Sequence, residues 1–200
     1  MLEFPSNSSM HSAHVAKLLE AGVSGIQLPW TEAREQIDRL VSPVKFPPVG
    51  IRAATPGYGN CDYEGGIDGT RFVEAMNRST VILAHIETLT GVGNIDSILD
   101  HSHVDIAFVG MYNNLSINCD HPGCFNHTDV RAAGHRIVAA ALDHGKVAGM
   151  YVPDAETAGE WIEAGVTFFE LASEVDLIAQ GSLKLVYEFR STCTTMPSAV

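Results

Sequence analysis

The chain is 200 residues long, 46% hydrophobic, and carries 12 Lys and Arg against 24 Asp and Glu, a formal net charge of −12 at pH 7. That size and apolar share support one domain with a real core; the acidity, with no basic run to neutralise a phosphate backbone, argues against nucleic acid as a partner. No apolar run reaches the roughly 18 residues of a spanning helix, and four scattered cysteines without a basic-then-apolar leader point to reduced thiols and a cytoplasmic protein with no membrane partner.

From the N-terminus onward, short apolar β-branched runs alternate with longer segments of helical period, the pattern of βαβ units around a buried parallel sheet. A helix over 12–20 is closed by Gly22, where glycine tolerates the left-handed C′ conformation, and a strand over 23–28 follows. Apolar spacing then predicts a helix over 31–40, an irregular Gly-rich stretch over 55–69, a helix over 70–77 and a strand over 80–85. A helix over 94–99 leads to a strand over 104–109 and a second irregular stretch over 111–126. The remainder reads as helix 129–144, strand 147–152, helix 154–164, strand 166–171 and helix 175–189, with Asp154 and Thr128 as candidate N-caps. No internal repeat or second domain is visible, so residues 1–190 are expected to form one domain and 191–200, rich in Ser, Thr and Pro, a flexible tail.

Several motifs stand in a fixed order on this frame. Phe46-Pro-Pro-Val-Gly-Ile-Arg52 is followed by Val81-Ile-Leu-Ala-His-Ile-Glu87-Thr and Gly91-Val-Gly-Asn-Ile-Asp96, then by Val104-Asp-Ile-Ala-Phe-Val-Gly110 with Asn114-Leu-Ser116, and by His127-Thr-Asp-Val130. In this order they resemble the HpcH/HpaI aldolase family, whose motifs are Tyr/Phe-Pro-Pro-x-Gly-x-Arg, a strand ending Gln-Ile-Glu-Thr, and Phe-Ile-Gly-Pro-x-Asp-Leu-Ser. The resemblance implies a β/α barrel whose site lies at the C-terminal strand ends. It further implies a carbon–carbon lyase or aldolase acting on a small 2-oxo acid or related carboxylate, with Mg²⁺ or Mn²⁺ stabilising an enolate. On the same ground Glu87 and Asn114 are the expected metal ligands, Arg52 and His85 the expected catalytic groups, and Arg52 and Ser116 the expected substrate contacts.

Departures from the family pattern carry their own expectations. The alignment places Glu3 to Ser6 at the end of the third family strand, so an incomplete barrel lacking the first two βα units is expected; the family's catalytic His belongs to those units, and Phe4 stands where the third strand carries an Arg. Asn114 replaces an Asp, which removes one formal charge and should weaken the hold on a hard cation. Asn113 and Asp120 are alternative ligands. His85 replaces a Gln and shares the side of the strand that Glu87 occupies, where it could act as general acid or base or serve as a hydrogen-bonded core histidine. A barrel lacking two units exposes strand edges, for which self-association is the expected remedy. The alternative function is a catalytically altered remnant, acting as a cyclase on a larger organic substrate or as a binding or assembly subunit. The single C-x4-C spacing of Cys119 and Cys124 is poor for structural zinc, and His101 and His103, ahead of a strand, read as structural.

Overall fold

The computed structural model describes residues 2–3 and 12–194. Its strands are β1 (Leu2–Glu3), β2 (Gly25–Leu28), β3 (Val81–Ile86), β4 (Ile106–Val109), β5 (Val147–Val152) and β6 (Phe168–Leu171). Between them run α1 (Ser12–Glu20), α2 (Arg34–Val44), α3 (Gly69–Ser79), α4 (Leu89–Gly93), α5 (Ile95–Leu99), α6 (Ser116–Asn118), α7 (Thr128–Asp143) and α8 (Ala155–Glu163), with α9 (Glu174–Thr194) last. Phe4, the residue at the expected Arg position, lies outside the described residues, as do 195–200 of the expected tail.

All six strands are parallel and lie side by side in chain order. Each connection returns through at least one helix, as parallel neighbours require. The result is a curled part of a (β/α) barrel, open at β1 and at β6 among the described residues, the incomplete barrel that the motif order implies.

Strand periodicity divides the side chains into two layers. Outward positions such as Ile26, Ile82, Ala84, Ala107, Val109, Ala148 and Met150 join the buried residues of α1, α2, α5, α7 and α8 in one core. Inward positions form a smaller cluster of Leu83, Ile106 and Phe108, with Val81, Tyr151 and Phe168 against it. Gly149 belongs to this inner layer because a Cβ there would come within 2.9–3.1 Å of Phe168, Ile106 and Phe108.

Local sequence explains most element ends. Asp68, Thr88 and Asp154 accept hydrogen bonds from Arg71 N, Gly91 N and Thr157 N and cap α3, α4 and α8. Gly22, Gly145 and Gly165 have positive φ after α1, α7 and α8. The first turn of α2 is closed by Gln36, whose Oε1 accepts from Glu32 N and Ala33 N. Several bounds differ from the sequence expectation: α2 begins at Arg34 and continues through Pro43 to Val44, α3 runs over Gly69–Ser79, the short α4 was not expected, and α9 continues to Thr194.

Candidate active site

The C-terminal ends of β2 to β6 surround a cleft of about 800 Å³. Its inner wall is the inward strand layer carried one step further: Gln27 of β2, His85 of β3 with Glu87 directly after it, Phe108 of β4 with Gly110 after it, Tyr151 of β5 and Glu170 of β6. Period-2 alternation therefore explains why these residues, far apart in sequence, share one surface.

Glu87 is only 4% exposed. Its Oε1 accepts the backbone N–H of Trp30 at 2.8 Å, and its Oε2 accepts Asn114 Nδ2 at 2.6 Å. Trp30 reaches that position with a left-handed φ of 54°, an uncommon conformation for a bulky residue and one that persists at sites where surrounding structure enforces it. Here the enforced turn delivers an N–H to the carboxylate. His85 Nε2 stands 3.7 Å from Glu87 Oε2, while its Nδ1 pairs with Gln27 Nε2 at 2.9 Å and its ring meets Phe108 edge-on. With the amide donating, Nδ1 accepts and Nε2 carries the proton toward Glu87.

Gly110 makes this crowding possible. A Cβ at that position would sit 2.4 Å from Glu87 Cβ and 2.5 Å from His85 Nε2. After it the chain makes a π turn over Met111–Leu115 that delivers Asn113 and Asn114 to the cleft. Ser116 is fully buried behind this turn: its Oγ donates to Asn113 O at 2.7 Å and accepts Gly123 N at 3.2 Å. It organises the loop and does not line the cleft. Asp120 does not line it either.

Electrostatically, the cleft is acidic and aromatic. Glu87, Glu170 and Asp176 line it together with Phe108, Tyr112, Phe125 and Tyr151, and no Lys or Arg is among the described lining residues. Burial pushes the Tyr112 hydroxyl up to about 12, so the phenol stays neutral across physiological pH. Glu87 has no Lys or Arg partner among the described residues, where N–H donors and His85 face it. A buried carboxylate without a cation is costly, and a divalent ion is one of the groups that offsets that cost. The donor set, one carboxylate and the amide oxygens of Asn113 and of Asn114 once the latter turns its oxygen in place of Nδ2 toward Glu87, suits a hard oxygen-loving ion but supplies a single negative charge at close range. The residues fit a Mg²⁺ or Mn²⁺ site of reduced strength.

Arg52 is placed elsewhere. It lies at the opposite, N-terminal end of the strands, beside a cavity of about 150 Å³ shared with Gly22, Ser24, Asn60, Asp62 and Thr80. Its guanidinium stacks 4.6 Å over Phe46, with Nε and Nη2 buried and without partners. Burial lowers its pKa, against the opposing charge of Glu20. His101 is at that end too, buried and paired with Asp38 at 3.0 Å. Of the residues singled out by sequence, Glu87, Asn114, Asn113 and His85 are thus brought together, and Arg52 and Ser116 are not. Gln27 and the aromatic lining are additions. A polar residue inside a four-residue buried strand was the available signal for Gln27; Tyr112 and Phe125 lie in an irregular loop with no period to place them.

Three comparisons bear on this arrangement. The sequence model of the HpcH/HpaI aldolase/citrate lyase family matches residues 2–181. The 5-keto-4-deoxy-D-glucarate aldolase of Klebsiella pneumoniae subsp. pneumoniae is 30% identical over 178 residues, covering 88% of this chain and 67% of that protein. Among solved structures, an HpcH/HpaI aldolase from Desulfitobacterium hafniense DCB-2 superposes with a TM-score of 0.85 at 26% identity, covering 98% of this chain and 72% of that one. Macrophomate synthase shares the fold, with a TM-score of 0.79 at 20% identity over 98% of this chain and 67% of that one.

Proposed function

Because the chain belongs to the HpcH/HpaI aldolase/citrate lyase family, we propose that its acidic cleft binds a small 2-oxo acid or related carboxylate and supports divalent-metal-dependent carbon–carbon lyase chemistry. The observation that carries this reading is the buried Glu87 carboxylate, held by N–H donors and aimed into the cleft beside Asn114. Mg²⁺ or Mn²⁺ held by Glu87 and an amide oxygen of Asn114, with Asn113 in reserve, would supply Lewis-acid stabilisation of the enolate that forms when a bond next to a carbonyl breaks. The chain's own residues do the rest. Trp30 N–H orients Glu87, His85 Nε2 holds a proton at the cleft wall for transfer, and Gln27 fixes the tautomer that places it there.

Isothermal titration with Mg²⁺, Mn²⁺ and pyruvate analogues tests the reading. Saturable binding that weakens at least tenfold in Glu87→Ala is expected. No binding, or equal binding in the variant, would overturn the site.

A second reading rests on a separate observation, the lack of Lys or Arg along the described cleft wall and its four aromatic rings. Such a wall favours a larger and less anionic ligand, as in a catalytically altered barrel serving as a cyclase or as a binding subunit. Cleavage of a 4-hydroxy-2-oxo acid at a rate abolished by Glu87→Ala would argue against it. Both readings include self-association, which the exposed apolar stripe of helix α9 supports.

A further inference from the structure

The loop that walls one side of the cleft carries a group of ligating side chains on its outer surface. His121 and His127 stack face to face, with ring centroids 3.4 Å apart and planes inclined by 28°. His121 Nε2 is 3.4 Å and His127 Nδ1 is 3.6 Å from the same oxygen, Oδ2 of Asp129. One ligand atom from each residue falls within 4.8 Å of the other two. Ligands 2.0–2.1 Å from a tetrahedral zinc ion lie about 3.3 Å from one another, so two of the three separations already approach the coordinated value, and binding requires the two stacked rings to splay so that their in-plane lone pairs converge on the ion. Two imidazoles and a carboxylate are the donors a borderline transition-metal ion prefers over Mg²⁺.

We propose that His121, His127 and Asp129 form a zinc-class cation site, separate from the cleft, that clips the 119–127 loop to the start of α7. The two histidines bracket the stretch that holds Gly123 and Phe125, both of which line the cleft, so a cation bridging them fixes that wall from outside. Solvent reaches the site, with the side chains of His121 and His127 31% and 41% exposed and that of Asp129 70% exposed, leaving a fourth position for water or another ligand. Binding costs one cap contact, since His127 Nδ1 accepts Asp129 N at 3.3 Å. This bond is long, and its loss is local.

Titration of the full chain with Zn²⁺, followed by calorimetry and by Co²⁺ absorption, tests the assignment. One equivalent of Zn²⁺ is expected, unaffected by excess Mg²⁺ and retained in Glu87→Ala. His121→Ala, His127→Asn and Asp129→Asn should each weaken it at least tenfold; Asn at 127 keeps a good N-cap, and Asp129 is exposed, so those two variants report even if His121→Ala folds poorly. Hydrogen exchange of the amides in 120–126 should slow several-fold on Zn²⁺ saturation. Unchanged affinity in the three variants, loss of binding in Glu87→Ala, or an intense thiolate-to-cobalt band from Cys119 or Cys124 would overturn the site. Unchanged exchange would overturn the clip.

Discussion

At Gly110 the absence of a side chain decides whether the site can exist. Gly110→Ala would force its Cβ to within 2.4 Å of Glu87 Cβ and 2.5 Å of His85 Nε2, and both neighbours sit on the rigid end of β3. Overpacking of this kind costs about 1–3 kcal/mol. The expected result is a lower denaturant midpoint together with weakened Mg²⁺ or Mn²⁺ binding, and an unchanged midpoint would show that β3 yields. Arg52 gives the opposite forecast. Its buried guanidinium has two unpartnered N–H groups and a stacked ring but no place in the cleft, so Arg52→Met keeps the stem and removes a buried charge that Glu20 offsets only in part. Stability within about 1 kcal/mol of the parent, or above it, and unaltered cleft binding are expected; loss of binding in titration would show a coupling across the barrel. Glu87 and His85 were legible because they stand in a motif whose spacing survives, and Asn114 because it keeps its place before Leu115-Ser116, although it lies one residue further from Gly110 than the family motif has it. Arg52 stood in an equally good motif, and only the strand direction reveals that Phe46 to Arg52 precedes β3 and so sits at its N-terminal end.

Helix α4 shows how one cap can hold two layers of the barrel together. Thr88 directly follows Glu87; its hydroxyl accepts Gly91 N at 3.0 Å and donates to Glu32 Oε1 at 2.7 Å, tying the loop after β2 to the helix after β3. Thr88→Val keeps the shape and loses both bonds, an expected cost of about 1–2 kcal/mol and hence roughly 2–8 °C in Tm for a chain of this length, measurable by calorimetry. A pH-dependent link joins α5 to α7. Asp96, hydrogen-bonded to His144 and ion-paired with Arg136, has its pKa lowered below the ordinary carboxylate value by those two partners. A folded pKa below the unfolded one means fewer protons bound when folded, so the contribution is full above the ordinary value and is lost as pH falls through the lowered one. Acid titration should therefore show a small extra loss of stability below about pH 4 that Asp96→Asn removes; an identical acid limb in the variant would sink this. Element boundaries were legible where apolar period and punctuation agree: α1 and β5 fall on the predicted residues. They slipped at α2, where Pro43 reads as a stop. In the last turn it removes only the bond to the carbonyl of Arg39, an exposed residue that water can serve.

At the scale of the whole molecule, the described residues leave helix α9 uncovered. Every side chain of α9 from Glu174 to Cys193 is exposed, among them Val175, Ile178, Leu185 and Phe189, whose spacings of 3, 7 and 4 place them along one stripe. Such a pattern promises burial in any reading of the sequence, and the described residues provide none, because among them β6 is the last strand of the sheet on that side, with Leu171 also exposed. The parallel α/β arrangement was thus legible from alternation and the incomplete barrel from the family resemblance, whereas the partner of α9 was not, since an amphipathic stripe records that something covers it and not what. A second copy is the partner that requires no other molecule. The net charge of −12 opposes close approach of two chains, but each large apolar side chain buried contributes about 1.5–3 kcal/mol, enough across one stripe per chain to offset repulsion screened within about 8 Å at physiological ionic strength. Sedimentation should therefore give a mass at least twice 21.5 kDa, strengthening with added salt. Leu185→Glu with Phe189→Glu places two more charges in the stripe of each copy and should return the protein to its single-chain mass without altering its far-ultraviolet dichroism. A parent chain that sediments at its single-chain mass at high protein concentration would refute the pairing and leave α9 for a different partner.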